Sequence, residues 1–429
     1  MNDTTIASVI GRRVWDSRGR PTVEAQVRLA GGAIGRAIAP AGASRGSREA
    51  ADLRDGGSVL GGFGVQQAVA NVNGVISACL PGMDATLQKE IDQALLDADG
   101  TANKARLGGN AMIAVSMAVL HAAAAAARQP LFVYLAQGKP VRIPLPEIQI
   151  FGGGAHAGRR IDIQDLMVMA VGATTFDEAL VMTAEVYRAA GELMRERGTL
   201  YGVADEGGYW PAFDNNEQAL DALLQSIEKA GYRPGEEVAI SLDIAASEFG
   251  RNGRYRLGLD KRELDSAGMI EMLLGWMARY PVVSIEDPLA EDDAQGMIEF
   301  TRKAGGRVQI IGDDYLVTNA ALVKQAATDK ACNAVLIKPN QAGTISETLA
   351  ALEAARAAGF ATIVSARSGE TEDVTICHLA TGWDAGQLKV GSFARSERMA
   401  KWNEMLRIEE SLSPGARFAG KHALGGIRW

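Results

Sequence analysis

The sequence predicts an α/β protein in which a small α+β domain precedes a closed barrel of β/α units. Two observations carry this prediction. Residues 22–29, "TVEAQVRL", alternate apolar and polar side chains, as in a strand with one buried face. Between residues 238 and 389, six short apolar runs that each end in a charged residue alternate with helix-length amphipathic segments.

The N-terminal part begins with a predicted hairpin. Gly31-Gly32 turns strand 22–29 toward a second apolar run, "AIGRAIA", and a Gly/Ser-rich loop, "APAGASRGSRE", follows. Three helices are expected, at roughly 65–80, 84–98 and 109–127. The segment "GKPVRIPLP" is typical of a joint between domains, so we predict an α+β domain over residues 1–139 and a barrel over residues 140–429.

The barrel prediction depends on where the six apolar runs end. They are separated by 22 to 43 residues, about the length of one strand, one helix and two loops, and the longest gap holds an extra hairpin at "GRNGRYRLG". Consecutive units of this kind form a parallel sheet with right-handed crossovers, and so many of them favour closure over an open doubly wound sheet, the alternative. The charged residues then meet at one mouth; they are Asp243, Glu286, Asp313, Lys338, Arg367 and Lys389.

Composition narrows the classes of partner and compartment. The chain has 429 residues, a net charge of -8 and a pI of about 5.3, which argues against nucleic acid or an anionic membrane as the main partner. Its three cysteines lie far apart, the start lacks the apolar core of a secretory signal, and we expect a cytoplasmic protein. The most apolar segment, "AMIAVSMAVLHAAAAAAR", is predicted to be a buried helix because it is short for a membrane span and contains His121.

Three acids at the predicted mouth indicate a metal site. Asp243, Glu286 and Asp313 would repel one another without a cation between them. A set of oxygen ligands without His or Cys favours Mg²⁺ or Mn²⁺ over zinc. The alternative is that each acid forms a salt bridge or caps a helix.

Three cations are expected across the same mouth. Arg367 is suited to bidentate contact with a phosphate or carboxylate, and Ser368 adds a hydroxyl group. We expect burial and neighbouring cations to lower the pKa of Lys338 toward that of a usable base. The alternative is that Lys338 and Lys389 are salt-bridge partners of the three acids.

Two glycine-containing segments add candidate residues. "VADEGGYWP" places Glu206 on a tight turn, and "FGGGAHAGRRIDIQDL" carries His156, Gln164 and Asp165. The three glycines match no dinucleotide-binding fingerprint, because no helix-opening G-x-G-x-x-G follows a strand. Each segment alone is compatible with a plain loop, and His156 with a structural imidazole.

Over essentially its whole length the sequence resembles enolase (phosphopyruvate hydratase). The resemblance is carried, in order, by "DSRGRPTVEA", "GASRGSREA", "DEGGYWP", "SIEDPLAEDD", "GDDYLVTN", "LIKPNQAGT", "RSGETED" and "ARSERMAKWNEMLRIEE". It implies a modified (β/α)8 TIM-type barrel with an N-terminal α+β capping domain, two Mg²⁺ ions per active site, a small phosphorylated hydroxy acid as substrate, and a homodimer or higher homo-oligomer.

The resemblance also implies roles for individual residues. Lys338 would remove the C2 proton of 2-phosphoglycerate, and Glu206, assisted by Asp165, would help the C3 hydroxyl leave. The remaining positions would hold metal or substrate. The first Mg²⁺ would be bound by Asp243, Glu286 and Asp313, and the second by Ser44. The substrate carboxylate would be bound by Lys389 and the phosphate by Arg367 and Ser368, while His156 and Gln164 would make further pocket contacts.

The sequence departs from the enolase pattern on one side of the site. Ala366 stands where His is usual, Asp165 where Glu is usual, and Gln149 and Gly152 where Asn is usual; Arg45, Arg159 and Arg160 are further differences. Three hypotheses stay open. The chain is an enolase, or a relative acting on a bulkier phospho- or phosphono-acid, such as a carboxyphosphonoenolpyruvate synthase, or a catalytically weak binding protein.

Overall fold

The computed structural model describes residues 3–210 and 212–429. Its N-terminal part opens with an antiparallel three-stranded sheet, β1 (Ile6–Trp15), β2 (Pro21–Leu29) and β3 (Ile34–Ile38). Five helices follow: α1 (Gln66–Asn71), α2 (Ser77–Cys79), α3 (Gln88–Asp99), α4 (Gly109–Ala126) and α5 (Leu131–Ala136). A π-helical turn, Val72–Ile76, joins α1 to α2, so the helix expected at 65–80 is one continuous helical stretch.

Helix α4 is the core of this part. It lies against β2 and β3 on one side and against other helices, including α3 and α5, on its remaining sides, so fifteen of its residues are buried. By length and composition α4 could cross a membrane, but 83% of it is buried inside the fold. The prediction of a buried helix is confirmed.

The second part is a closed barrel of eight strands with helices outside it. Its strands, and those of a small hairpin sheet, are β4 (Leu145–Gly152), β5 (Asp165–Met169), β6 (Ala239–Asp243), β7 (Gly250–Arg251), β8 (Arg254–Leu257), β9 (Arg262–Asp265), β10 (Val282–Glu286), β11 (Gln309–Gly312), β12 (Ala334–Ile337), β13 (Ala361–Ser365) and β14 (Gly386–Gly391). Around the barrel the order is β10-β11-β12-β13-β14-β4-β5-β6, while β7, β8 and β9 form the separate sheet. The extra hairpin expected at "GRNGRYRLG" is therefore present, with one additional strand.

The helices that accompany these strands are α6 (Phe176–Glu196), α7 (Asn216–Lys229), α8 (Ser266–Arg279), α9 (Ala294–Ala304), α10 (Ala320–Asp329), α11 (Pro339–Ala342), α12 (Ile345–Ala357), α13 (Thr375–Gly382) and α14 (Ser396–Leu412). Several begin at a side chain whose oxygen accepts a hydrogen bond from a backbone amide of the first turn, as Thr175 does for α6 and Thr344 for α12. These caps fix where each crossover helix starts.

The barrel is not fully parallel, which corrects the expectation of a parallel sheet. Strand β5 runs antiparallel to both β4 and β6. Only the short loop 153–164, with one 3-10 turn, connects β4 to β5, and a parallel return needs a longer crossover. The chain therefore turns back as a hairpin, and helices α6 and α7 both follow β5.

The reversal of β5 changes which of its ends faces the mouth. Asp165, its first residue, pairs in register with Asp243, the last residue of β6. Glu286, the last residue of β10, also pairs with Asp243. Carboxylates from the start of one strand and the ends of two others are thus brought together at one rim.

Candidate active site

A cavity at the barrel mouth gathers most of the candidate residues. It has a volume of about 20 Å³, which is room for about one water molecule. Its lining includes Ala366 and ten of the residues singled out from the sequence: Ser44, His156, Gln164, Asp165, Glu206, Asp243, Lys338, Arg367, Ser368 and Lys389. The other two, Glu286 and Asp313, contact Lys389 and Lys338 directly.

Lys389 joins the acids of three strands. Its Nζ lies 2.9 Å from Asp243 Oδ2, 2.7 Å from Glu286 Oε2 and 3.4 Å from Asp165 Oδ2. Burial lowers the pKa of Lys389, but Asp243 and Glu286 outweigh burial and raise that pKa well above its usual value. Lys389 is therefore a fixed positive charge at the centre of the acidic group.

Lys338 is paired with Asp313, and this corrects one expectation. Burial does lower the pKa of Lys338, but the Asp313 carboxylate, hydrogen-bonded to Lys338 Nζ, raises the pKa above its usual value. The same pair lowers the pKa of Asp313 against the effect of burial. The alternative considered for the two lysines, that they are salt-bridge partners of the acids, describes the contacts in this structure.

The three predicted metal ligands are paired with lysines in this structure, Asp243 and Glu286 with Lys389 and Asp313 with Lys338. Asp243, Glu286 and Asp313 are all buried, and Glu286 Oε1 has no hydrogen-bond partner among the described residues. Two further groups bring ligand atoms within 4.8 Å of one another, namely His156, Asp165 and Glu206, and Asp287, Asp313 and Asp314. Buried carboxylate oxygens without full pairing are the ligands that Mg²⁺ prefers. The acidic clusters of this mouth could hold such an ion.

On the side of the mouth opposite Lys338, His156 lies between two acids. Its Nδ1 is 2.9 Å from Asp165 Oδ1, and its Nε2 is 3.9 Å from Glu206 Oε1. Burial lowers the pKa of His156, but Asp165 and Glu206 outweigh it and raise that pKa to about 9. Asp165 is kept ionised by His156 and Lys389, whereas burial and the Asp165 charge raise the pKa of Glu206.

Arg367 is bound to the N-terminal part of the chain. Its guanidinium donates to both oxygens of Glu49, at 3.0 and 3.2 Å, and to the Ser44 carbonyl at 3.0 Å. Burial lowers the pKa of Arg367, and Glu49 raises it to above its usual value. The loop that carries Ser44 is thereby held against the barrel mouth.

Neighbouring contacts fix the Ser368 loop. The Ser368 hydroxyl accepts a hydrogen bond from the Ala43 amide at 2.7 Å and one from Arg18 at 3.3 Å. From below, fully buried Arg398 donates to the carbonyls of Arg367 and Ser368. Both faces of this loop are therefore fixed by cationic side chains.

The three extra arginines do not line the cavity. Arg45 is exposed and lies 3.7 Å from Asp52, and Arg159 pairs with Glu248 at 2.9 Å. Arg160 lies over the ring of Tyr201. The idea that Arg45 fills the space beside Ala366, or that these arginines hold an additional carboxylate in the pocket, has no support in these contacts.

Sequence reasoning missed several residues that shape the site. Glu49 and Arg18 reach the mouth from the N-terminal part, and both lie within quoted motifs, "GASRGSREA" and "DSRGRPTVEA". Gln341, in "LIKPNQAGT", donates to Asp313 Oδ1 at 2.9 Å. The quoted motifs could have indicated that these residues matter. Their contacts become visible only once the N-terminal part and the barrel are folded and packed together.

Comparison with known protein families agrees with this architecture. The model of the enolase N-terminal domain matches residues 6–135, and the model of the enolase C-terminal TIM barrel domain matches residues 140–426. Together the two matches cover nearly the whole chain, and they do so in the order of the two parts described above. The chain therefore belongs to the enolase family and is, in class, an enolase-superfamily lyase.

Proposed function

We propose that this protein is a Mg²⁺-dependent hydro-lyase that removes the C2 proton of 2-phosphoglycerate, or of a close analogue, and eliminates water to give phosphoenolpyruvate. The observation that carries the proposal is that Lys338 lies across the barrel from Asp165, which belongs to the group that contains Glu206, the proposed acid. Lys338 follows β12 and Asp165 begins β5, and four strand steps separate β12 from β5 in either direction around the eight-stranded barrel. A base and an acid on opposite sides of one cavity suit the two ends of an elimination.

Lys338 is the proposed base. A carbon acid beside a carboxylate loses its proton only if the new negative charge on the carboxylate oxygens is stabilised. Enolase-superfamily sites commonly pair a Lys or His base with Mg²⁺. Here Lys338 lines the cavity but is paired with Asp313, so it can accept a proton only when that pairing is weakened.

Glu206 is the proposed acid. Its raised pKa favours the protonated form, which can donate to a leaving hydroxyl group. His156, whose Nε2 lies 3.9 Å from Glu206 Oε1, opposes this rise of the Glu206 pKa, whereas the Asp165 charge adds to it. The acid side is thus assembled from the loop before β5 and the turn that carries Glu206.

The remaining residues would bind metal and substrate. Asp243, Glu286 and Asp313 would hold one Mg²⁺ and Ser44 would contribute to a second; when bound, these ions supply positive charge against the substrate carboxylate. Lys389 would contact that carboxylate, and Arg367 with Ser368 would bind the phosphate. His156 and Gln164 complete the pocket; Gln164 donates to Asp243 Oδ2 at 3.1 Å.

The substrate must displace groups that now occupy the mouth, because the cavity holds about one water molecule. The Ser44 loop is bound to the barrel by Arg367 and Ser368, so both contacts would change when a phosphate arrives.

We further propose that the protein is cytoplasmic and forms a homodimer or a higher homo-oligomer. We propose neither nucleic acid nor a membrane as its partner.

A second candidate is favoured by Ala366. This residue lines the cavity with only a methyl group, at the position where the resemblance leads one to expect an imidazole. A bulkier phospho- or phosphono-acid could use the space that a larger side chain would fill.

The test follows 2-phosphoglycerate dehydration with and without Mg²⁺, together with Mg²⁺ binding by calorimetry. We expect phosphoenolpyruvate to form with Mg²⁺ and not after chelation. Absence of turnover, with Mg²⁺-dependent exchange of the C2 proton in another phospho- or phosphono-acid, would favour the second candidate. Absence of both metal binding and exchange would leave a binding protein.

A further inference from the structure

Gln149 connects the two elements that carry the acid side of the mouth. It lies on β4 and is fully buried. Its Nε2 donates a hydrogen bond to Asp165 Oδ1, and its Oε1 accepts one from the Gly208 amide at 2.8 Å. Gly208 belongs to the turn that carries Glu206. One carboxamide thus joins the start of β5 to that turn.

Only one orientation of the Gln149 carboxamide satisfies both partners. The Gly208 amide is a donor and the ionised Asp165 carboxylate is an acceptor, so the oxygen of Gln149 must face Gly208 and its nitrogen must face Asp165. A glutamate at this position would lose the donor and place a second carboxyl group against Asp165. The side-chain type is therefore determined by the two contacts.

The space around the Gln149 carboxamide is set by two glycines. A Cβ added at Gly208 would lie 2.5 Å from Gln149 Oε1, and one added at Gly152 would lie 3.2 Å from Gln149 Nε2. The carboxamide therefore occupies a narrow slot between β4 and the Glu206 turn. A side chain shorter by one methylene would not span this slot to Asp165.

We infer that Gln149 is a positioning residue that holds Asp165, His156 and the Glu206 turn in the arrangement needed to release the leaving group. The inference rests on the proposed function for its catalytic readout. Lys338 pairs with Asp313 and follows β12, which is three strand steps from the β4 strand of Gln149. Loss of Gln149 should therefore impair elimination and spare proton removal at C2.

The first experiment compares Gln149→Asn with wild type in two assays, dehydration of 2-phosphoglycerate and exchange of its C2 proton with deuterated solvent. We expect dehydration to fall about 100-fold, because a displacement of about 1 Å at a reacting group can cost that much, while C2 exchange stays within about twofold of wild type. Equal loss in both assays would overturn the inference, since it would indicate general damage to the fold.

Exchanging the lengths of the two side chains at positions 149 and 165 should rescue the dehydration rate. The double variant Gln149→Asn/Asp165→Glu shortens one partner by a methylene and lengthens the other, so the hydrogen bond can form again. We expect the double variant to recover at least about 10-fold of the dehydration rate lost by Gln149→Asn. A double variant no better than the worse single variant would contradict the inference.

Gln387→Asn is the matched control. Gln387 is also a fully buried glutamine on a barrel strand, where it donates to Gln309 and to the Ala423 carbonyl, away from the cavity. We expect this variant to lower the melting temperature without changing the ratio of dehydration to exchange. A change in that ratio would mean that any buried glutamine of the barrel has the effect.

A readout independent of activity separates this inference from the proposed function. The chain has four histidines, so the ring signals of His156 can be followed by NMR in wild type and in Gln149→Leu. We expect the ring signals of His156 to shift in the variant, because Asp165 is released from its position 2.9 Å from Nδ1 of the ring. Unchanged ring signals would refute the positioning role even if the wild type showed no turnover of 2-phosphoglycerate.

Discussion

The two sides of the barrel mouth are built differently. The base half consists of β11, β12 and β13 with Asp313, Lys338 and Arg367, each placed just after a parallel strand. The acid half consists of the β4–β5 hairpin and segment 204–209, where functional side chains come from a strand start and from loops. The departures from the enolase pattern at Gln149, Gly152 and Asp165 all fall in the acid half, and Ala366, at the end of β13, faces the same cavity.

The difference continues below the mouth. Beneath the base half, the barrel interior holds an apolar cluster that includes Ile311, Leu336 and Ile363. Beneath the acid half it holds Glu147, fully buried, with Ser241 Oγ at 3.2 Å and Glu147 Oε1 without a hydrogen-bond partner among the described residues. Directly beneath the base half the interior is thus apolar, whereas beneath the acid half it contains a buried carboxyl group. Substitutions on either side should therefore affect different steps.

The largest expected effect is in the base half. Lys338→Ala should lower both 2-phosphoglycerate dehydration and C2 proton exchange by about 10⁴-fold, because no other group replaces the base. Steady-state kinetics and solvent-deuterium exchange measure the two steps.

Lys104→Met is the matched control, since Lys104 is another nearly buried lysine that pairs with an acid, Glu347 at 2.7 Å, away from the catalytic cavity. It should cost stability and leave both rates nearly unchanged. Persistence of C2 exchange in Lys338→Ala would show that the base has been misassigned.

The next effect separates the halves. Glu206→Gln should lower dehydration by about 10³-fold, because the amide cannot donate a proton as a carboxylic acid does, while C2 exchange continues. The ratio of the two rates, measured in the same sample, checks this expectation. If exchange fell in parallel with dehydration, the two halves would not act independently.

The buried carboxyl group of Glu147 predicts a pH-dependent stability. Burial raises the pKa of Glu147 from 4.5 to about 7, and Lys389 only partly offsets this effect. The folded state therefore binds this proton more tightly than the unfolded state, so the stabilisation present below about pH 4.5 is lost as the pH rises through about 7.

Glu147→Gln replaces the titrating carboxyl group by a neutral amide. Above pH 7 the variant should exceed wild type in the free energy of unfolding by up to about 3 kcal/mol, with little difference near pH 4. Urea unfolding of both proteins at several pH values makes the measurement. A difference that did not change with pH would mean that Glu147 does not titrate in this range.

The smallest expected effect concerns Ala366. If 2-phosphoglycerate is the substrate, Ala366→His should raise dehydration by about 10-fold by adding a polar group to the cavity, and C2 exchange should stay constant. Ala366→Leu is the control, since it fills the space without a donor. A loss of activity in both variants would instead indicate that the substrate itself uses this space.

The sequence was sufficient to predict the barrel, because each apolar run ends in a charged residue and parallel strands bring such ends together. It did not predict the reversal of β5. The sequence of loop 153–164 does not reveal that only a 3-10 turn, and no crossover helix, connects β4 to β5. The sequence left open whether Lys338 is a free base or a salt-bridge partner of the acids, and the structure pairs it with Asp313. Sequence spacing indicates that both charges share a mouth, but not whether they touch, and contact is what raises the pKa of Lys338.

The contact between Arg367 and Glu49 has a consequence for selectivity. Glu49 is the acid that forms a salt bridge with Arg367 in the described structure, and it comes from the N-terminal part of the chain. An arriving anion must compete with this internal carboxylate. A singly charged ligand that displaced Glu49 would only replace one negative charge beside Arg367 by another. A dianion would be attracted to Arg367 more strongly than Glu49 is. If Arg367 binds the phosphate as proposed, Glu49 would compete with that ligand and select against weakly charged metabolites.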